Sequence, residues 1–434
     1  MAAVATQAKA FPDLRLDELV TEGLSPLDEA FAHAIYDVVI RRWLTLRFLL
    51  ERSLNVPFEK LEPHVASALL CGAAQIVLMD KVPTHAAVNE AVNWARLNAS
   101  NRSGGLVNAV LRKTGELVHA DGERRERAMD RRDELPLADG SAVALREDIL
   151  PEDTLERLAV STSHPVTLLG QWSMTISLDK AKAIALHSLC RPPVILNTSC
   201  MTGPAPEGAV PHTLTGHHVF TGDNAALREM LGSRSDVWVQ DPASSLAAES
   251  VVDLEPMVVM DVCAGKGTKT RQLAATFPNA KIVATDTDAG RYAELARVFE
   301  GSEQVSVVPF ETRLEHAGRV DLVLLDVPCS NTGVLARRVE AKYRVSKKRT
   351  DELVDMQRQI IADAIPLLQS EGRESGKLLY STCSLDSREN EKIAAWAVEW
   401  HRFRGAREHR RAPEGLPGDP PERYSDGSFA VLLD

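Results

Sequence analysis

Apolar positions recur at three- and four-residue steps early in the chain and give way to short unbroken apolar runs later on. In "SPLDEAFAHAIYDVVIRRWLTLRFLLERSLN", Phe31, Ile35, Val39, Trp43, Leu46 and Leu50 share one face of a single predicted helix. Ser25 suits its N-cap, Pro26 its first turn, and acids follow at once. The same period predicts helices in "HVASALLCGAAQIVLMDKV", "HAAVNEAVNWARLNA" and "GGLVNAVLRKTGELV", and so an all-α domain over residues 1–140. "DGERRERAMDRRDELPLADGSAVALRED" is charged and poor in large apolar residues, and reads as a linker or a polar helix with a loop. Residues 150–235 are mixed. "LPEDTLERLAV" suits a helix, while "PPVILNTS" and "HHVFTGD" suit strands, which predicts a small α/β subdomain.

From residue 236 to 434 the runs "MVVMDVCA", "KIVATDTD", "QVSVVPF", "VDLVLLDV" and "GKLLYSTC" alternate with helical stretches. Continuously apolar strands separated by helices predict a mostly parallel sheet covered on both faces, a Rossmann-like α/β domain. Ligands of such sheets bind at the carboxyl ends of the strands. That rule places Cys263, Asp286, Asp326, Cys329 and Cys383 along one edge.

"MDVCAGKGTKT" joins a strand to a helix, with Gly265 and Gly267 permitting a tight turn. It is not a phosphate-binding P-loop, because Met260 stands where the first glycine belongs and Gly267 where the hydroxyl belongs. A dinucleotide turn needs a third glycine where Thr270 stands, whereas S-adenosylmethionine carries no phosphate and tolerates a looser turn. Either nucleoside needs an acid at the end of the next strand for the ribose, and Asp286 fits.

Cys329 and Cys383 each follow an apolar strand and each precede a serine. Singly, such a cysteine reads as a small buried hydrophobe. Together, beside a nucleoside site, they suggest chemistry. A nucleophilic thiol needs help to ionise, and Ser384 with the following "DSRENE" is expected to open a helix whose N-terminus gives it. One reaction uses a methyl donor, two thiols and an acid: methylation of carbon 5 of cytosine. A thiolate adds at carbon 6, an acid such as Asp326 holds ring nitrogen 3 and the amino group, and a base removes the carbon-5 proton.

These residues carry a resemblance to the Sun-type RNA (cytosine-5) methyltransferases, most of all the bacterial RsmB-like branch that modifies small-subunit ribosomal RNA. "DVCAGKGTKT" resembles D-x-C-A-A-P-G-G-K-T, "DVPCSNTG" resembles D-A-P-C-S-G-T-G, and "STCSLDSRENE" resembles T-C-S followed by an acidic motif. "VPTHAAVNEAV" and "LVNAVLRK" are similar to the NusB-type RNA-binding helical domain of that branch, and "DGSFAVLL" to its final strand. The resemblance implies a NusB-like domain, an RRM-like subdomain and the catalytic domain. It implies Cys383 as nucleophile and Cys329 as the residue assisting product release. It implies that Cys263, Ala264, Gly265, Lys266, Gly267, Thr268, Lys269, Asp286 and Asp326 hold S-adenosylmethionine, with Glu311 where an adenine-side Asp is usual. The chain departs from the pattern at Gly265-Lys266, in place of Ala-Pro, and at Thr268, in place of Gly. Lys266 is expected to point outward, away from a cationic cofactor.

Charge adds a partner. The formal net charge is −11, but Leu335 to Arg349 holds Arg337, Arg338, Lys342, Arg344, Lys347, Lys348 and Arg349 against Glu340 alone. Beside this site the stretch is expected to contact an RNA backbone through Lys342, Arg337 and Arg338. "HRFRGAREHRR" is a second basic run. The six cysteines form no C-x-x-C pair, so reduced thiols and no metal site are expected. No run of apolar residues is long enough for a membrane helix, and the N-terminus lacks the pattern of a secretory signal, so a cytoplasmic, monomeric enzyme is expected. A tRNA methyltransferase and a non-catalytic RNA-binding factor remain the alternatives.

Overall fold

Arg42 breaks the first apolar stripe. The structure, a computed structural model, describes residues 1–17, 19–119, 124–128, 130–369, 375–401 and 403–434. In it the single long helix expected after Ser25 is two, Pro26–Arg41 and Trp43–Glu51, with Arg42 between them at φ −117°, ψ 21°. The buried Arg42 guanidinium donates to the carbonyl of Pro136, and burial lowers its pKa to about 10. Ser25 and Pro26 behave as expected, the serine Oγ accepting from Asp28 N. Phe31 is exposed, Ile35 packs partly buried against the core, and the stripe is fully buried from Val39 onward.

The other three helices form where periodicity places them, at Pro63–Leu78, Thr84–Asn98 and Asn101–Gly115. Pro63–Leu78 is buried from Val65 to its end, as befits a helix that is apolar all round. Gly72 lets it pass close to its neighbour, since a Cβ there would meet Leu111 Cδ1 at 2.4 Å.

The chain divides into two compact units. The first comprises Met1–Arg191, Leu335–Val345 and Leu416–Asp419, and the second Pro192–Val334, Ser346–Gly415 and Pro420–Asp434. The stretch 150–235, expected as one subdomain, is therefore shared. Its helices Thr154–Thr162, Val166–Ile176 and Leu178–His187 belong to the first unit. Its strands Val194–Asn197, Ala209–Pro211 and His217–Phe220, with Trp238–Val239, form a four-stranded antiparallel sheet of the second.

The supposed linker also folds. Arg124–Glu126, Glu134–Pro136 and Ser141–Ala144 make a three-stranded antiparallel sheet with the last strand central. Leu135 and Val143 point into the helical core, which is enough apolar surface to recruit an otherwise charged segment. Residues 120–123 and 129 of that region lie outside the described residues.

The larger sheet of the second unit has seven strands among the described residues. They are β1 Val258–Asp261, β2 Lys281–Ala284, β3 Val305–Val307, β4 Leu322–Asp326, β5 Lys377–Thr382, β6 Ala406–Arg411 and β7 Ser428–Leu433. Their order is β3-β2-β1-β4-β5-β7-β6. The first five in that order are parallel, β7 is antiparallel to β5, and β6 is antiparallel to β7. The order reverses beside β1, the switch point at which open α/β sheets bind ligands. β6 corrects the reading of the second basic run, which is an edge strand. Its Arg407 pairs with Asp253 at 2.7 Å, Arg410 pairs with Glu391, and Arg411 lies 4.0 Å from Glu249. Arg402 of that run lies outside the described residues.

Lys342 needs the firmest correction. It belongs to the first unit and its side chain is fully buried. Its Nζ donates to the carbonyls of Arg41 at 2.9 Å and Thr162 at 3.3 Å. Burial, then the charges of Arg41 and Arg42, push its pKa well below the usual lysine range. It is a structural peg and offers no donor to a phosphate. We predict that Lys342→Met, which keeps the volume and removes a desolvated amine, costs at least about 1 kcal/mol less than Lys342→Ala, which adds a cavity to the two orphaned carbonyls. Urea denaturation of the two variants checks this.

Candidate active site

The turn after β1 is built around two left-handed glycines, Gly265 at φ +58° and Gly267 at φ +88°. A Cβ on Gly267 would lie 2.5 Å from Phe299 Cε2 and 2.9 Å from Leu295 Cδ1, so glycine is required there for space as well as for backbone. A Cβ on Gly265 would meet nothing within 4 Å, which leaves open space over that side of the turn. Ala264 N donates to Thr285 O at 3.0 Å and Gly265 N to Asp286 Oδ2 at 2.9 Å, tying the turn to the end of β2. The other oxygen of Asp286 accepts from Asp288 N at 2.9 Å and from the Arg291 guanidinium at 3.0 Å. Asp286 thus holds the turn that it is expected to serve, and its Oδ2, which accepts from Gly265 N, retains a lone pair for a ribose hydroxyl. Lys266 points outward as expected, its Nζ 2.8 Å from Glu294 Oε2. Thr268 opens the helix Thr268–Thr276 and is exposed.

Three carboxylates surround this turn. The Cys263 thiol is pushed far up, first by burial and then by Asp261, Asp326 and Asp286. Asp261 is fully buried at the end of β1, accepts from Thr270 Oγ1 at 2.7 Å, and is raised by burial to about 7. Lys269 is the counter-charge, with its Nζ 2.7 Å from Asp326 Oδ2. Burial works against its ammonium, but Asp326 outweighs burial and the net shift is upward. Carboxylate oxygens beside open space over the turn suit a cationic ligand such as a sulfonium.

Neighbouring parallel strands bring the sulfurs together. Asp326 on β4 stands opposite Ser381 on β5, and Val327 N donates to Ser381 O at 3.1 Å, so the register persists past the strand ends. Cys329 Sγ and Cys383 Sγ lie 3.2 Å apart and are not bonded. The Cys329 thiol is pushed well up, first by its hydrogen bond to Cys383, then by burial and by the charges of Cys383 and Glu389.

A residue given no role from the sequence clamps both loops. Glu389 is fully buried, and its oxygens accept from Ser330 N at 2.9 Å, Ser384 Oγ at 2.7 Å and Gln357 Nε2 at 3.1 Å. Ser330 follows Cys329 and Ser384 follows Cys383, so one carboxylate sets the spacing of the two thiol loops. Gln357 also donates to Pro328 O at 2.9 Å. Asn390 completes the clamp by accepting from Thr382 Oγ1 and donating to Ser384 O. This corrects the expected helix start at Ser384. The helix there is Glu391–His401, and the residues between are a turn knotted by Glu389 and Asn390. Among the described residues the helix expected to begin beside Cys383 starts at Glu391 instead. The signal for Glu389 was present in the acidic motif after the second cysteine, but spacing alone does not show which acid turns inward.

The remaining expected residues are placed as follows. Cys263, Asp286, Asp326, Cys329 and Cys383 do follow the carboxyl ends of parallel strands. Glu311 is exposed in the turn Phe310–His316 after β3. The basic stretch is divided between the units, with exposed Arg337 and Arg338 in the first and Lys347, Lys348 and Arg349 opening the helix Lys347–Ala364 of the second.

Comparison with known proteins places both parts of the chain. The profile of the family described as 16S rRNA methyltransferase RsmB/F matches residues 252–409, and that of the NusB family matches residues 2–116. A relative named "Probable ribosomal RNA small subunit methyltransferase B", from Bacillus subtilis, is 25% identical over 91% of this chain and 86% of its own length. "Ribosomal RNA small subunit methyltransferase B" from Xanthomonas campestris is 26% identical over 94% and 89%. Over 37% of this chain, "Ribosomal RNA small subunit methyltransferase F" of Escherichia coli is 35% identical, across 35% of its own length. The crystal structure of PH0851 superposes with a TM-score of 0.69 at 19% identity, covering 95% of this chain and 91% of that one, and shares the fold.

The buried Asp261 gives a pH signature. Between its ordinary value near 3.8 and about 7 the folded chain keeps a proton that the unfolded chain releases, so stability falls as pH rises through that window and levels above it. Asp261→Asn lacks this loss. Relative to the parent it should gain about 2–3 kcal/mol between roughly pH 5 and pH 8, read by urea denaturation at each pH. A constant difference would refute the protonated state. At the clamp, Glu389→Ala should cost about 2–4 kcal/mol and Glu389→Gln less, on the same measurement.

Proposed function

The chain carries an RsmB/F-type methyltransferase domain joined to a NusB-family domain, and from that premise we propose that it methylates carbon 5 of a cytosine in small-subunit ribosomal RNA through a covalent cysteine adduct. The observation that carries the proposal is the pair of unbonded sulfurs 3.2 Å apart beside the Lys269–Asp326 ion pair. A carbon-5 methylation without an adduct has no use for a second thiol at that distance.

S-adenosylmethionine, when bound, supplies the methyl group as an activated sulfonium. The chain's own residues fit it. Asp286 sits where a ribose is held, Gly265 leaves space over the turn, and the carboxylates around Cys263 suit a cation, while Lys266 is turned away. Glu311, exposed at the end of β3, is proposed on the adenine side.

The thiol of Cys383 loses its proton to solvent, and the sulfur adds to carbon 6 of the pyrimidine. The electron pair of the ring double bond moves toward carbon 5, making it nucleophilic. Ring nitrogen 3 takes a proton from solvent as the sulfur adds, the Asp326 carboxylate accepts hydrogen bonds from that N–H and from the amino group, and Lys269 fixes the carboxylate for that task. Once carbon 5 carries the methyl group, Cys329, its own thiol proton passed to solvent, removes the carbon-5 proton, the double bond re-forms, the sulfur of Cys383 leaves as thiolate and ring nitrogen 3 returns its proton to solvent. The hydrogen bond and burial that raise the Cys329 thiol make it a basic thiolate once ionised. The target base must leave its stack, at a cost of about a few kcal/mol, which favours a loop or partly unfolded RNA. Exposed Arg337 and Arg338 are proposed to contact its backbone.

Two variants test the roles. Cys383→Ala should abolish methyl transfer, whereas Cys329→Ala should accumulate a protein–RNA adduct that survives denaturing electrophoresis. Normal transfer by Cys383→Ala would remove the assigned nucleophile. Bisulfite sequencing of total RNA, with and without the gene, should show one protected cytosine in the small-subunit RNA. A protected cytosine in tRNA instead would overturn the substrate.

A further inference from the structure

The motif around Cys329 departs from the pattern it resembles, "DVPCSNTG" against D-A-P-C-S-G-T-G, at Val327 in place of an alanine and, in the loop, at Asn331 in place of a glycine. Asn331 keeps the glycine-like backbone, with φ +58°. Asparagine tolerates that region better than most residues, so the loop is preserved and a side chain is added to it.

That side chain touches both cysteines. Its Nδ2 donates to the carbonyl oxygen of Cys329 at 2.9 Å, and its Oδ1 accepts from Cys383 Sγ at 3.3 Å. The carbonyl partner decides which way the amide faces, because an amide oxygen turned toward Cys329 O would set two acceptors against each other. The oxygen therefore faces the thiol. A thiol has one proton. If Cys383 gives its proton to Asn331, the 3.2 Å contact between the sulfurs is donated by Cys329. The pair has a direction: Cys329 S–H to Cys383 Sγ, and Cys383 S–H to Asn331 Oδ1.

We propose that Asn331 is a positioning residue for the nucleophile, holding the Cys383 thiol in one orientation and favouring its protonated form until substrate arrives. The inference rests on the reading of Cys383 as nucleophile. A hydrogen bond to the neutral thiol favours it over the thiolate, and glycine at this position supplies no such acceptor. The other groups acting on Cys383 are Cys329 from the same loop and Lys269 from the helix after the glycine turn, with Asp326 paired to Lys269 and Glu389 behind Cys329. Replacing Asn331 leaves each of these side chains in place in the sequence and removes, besides the acceptor, the Nδ2 bond to Cys329 O.

The test is the rate at which iodoacetamide alkylates Cys383 in the full chain at one neutral pH, followed by peptide mass spectrometry so that Cys329 is scored separately. Asn331→Gly keeps the left-handed backbone and removes the acceptor, and should react about two- to tenfold faster than the parent. Asn331→Asp keeps the shape and sets a carboxylate against the sulfur, and should react slower by a similar factor. A gain in access alone predicts acceleration in the first variant and none of the slowing in the second. Methyl transfer by Asn331→Asp should lose kcat with KM for RNA unchanged. Equal alkylation rates for the three proteins, or a loss confined to KM, would overturn the proposal. Alkylation is read without RNA, so it still reports on Asn331 if Cys383→Ala shows that another residue is the nucleophile.

Discussion

A carboxylate taken out of water must find its hydrogen bonds inside the protein, and Glu389 finds its own in the loops that carry the two sulfurs. Pulling Ser330 and Ser384 apart would leave a buried charge unmatched, at a cost of about several kcal/mol. The parallel register of β4 and β5 brings the two loops side by side. Glu389 turns that backbone register into a side-chain register, and the 3.2 Å sulfur contact follows from it. Gly333 adds a backbone stitch, its N–H donating to Cys383 O while its carbonyl accepts from Gly427 N. The reactive geometry is therefore fixed from behind by groups that need never touch a substrate.

Much of this was legible in the chain. Apolar runs as continuous as "VDLVLLDV" belong only to strands covered on both faces, and the carboxyl-edge rule then aligns Cys263, Asp286, Asp326, Cys329 and Cys383. What escaped was decided by tertiary partners. β6 has the sequence Ala-Arg-Glu-His-Arg-Arg, with no apolar alternation, and is a strand because β7 offers it an unpaired edge and nearby acids meet its arginines. The break at Arg42 depends on a carbonyl about ninety residues away. Lys342 belongs to a basic run by sequence and to a core by structure. Charge patterning cannot tell an ammonium facing solvent from one capped by the carbonyls of Arg41 and Thr162.

The glycine turn shows how a departure from a motif is absorbed. A lysine in place of a rigid proline threatens a cationic ligand, yet Lys266 is drawn to Glu294 on the next helix. At the turn Asp286 is paired with Arg291 and Asp326 with Lys269, while Asp261 keeps its proton up to about pH 7. Asp286 ties the turn to the end of β2 through Gly265 N, and Arg291 and Asp288 N fix the orientation of its carboxylate.

Two sulfurs in van der Waals contact share one vulnerability. Only about an ångström separates them from a covalent bond to each other. A single oxidation, or one soft trivalent arsenical bridging the pair, would consume both thiols in one event. Under oxidant stress, the proposed methylation would then stop all at once in each molecule struck, and one exchange with a small-molecule dithiol would restore it.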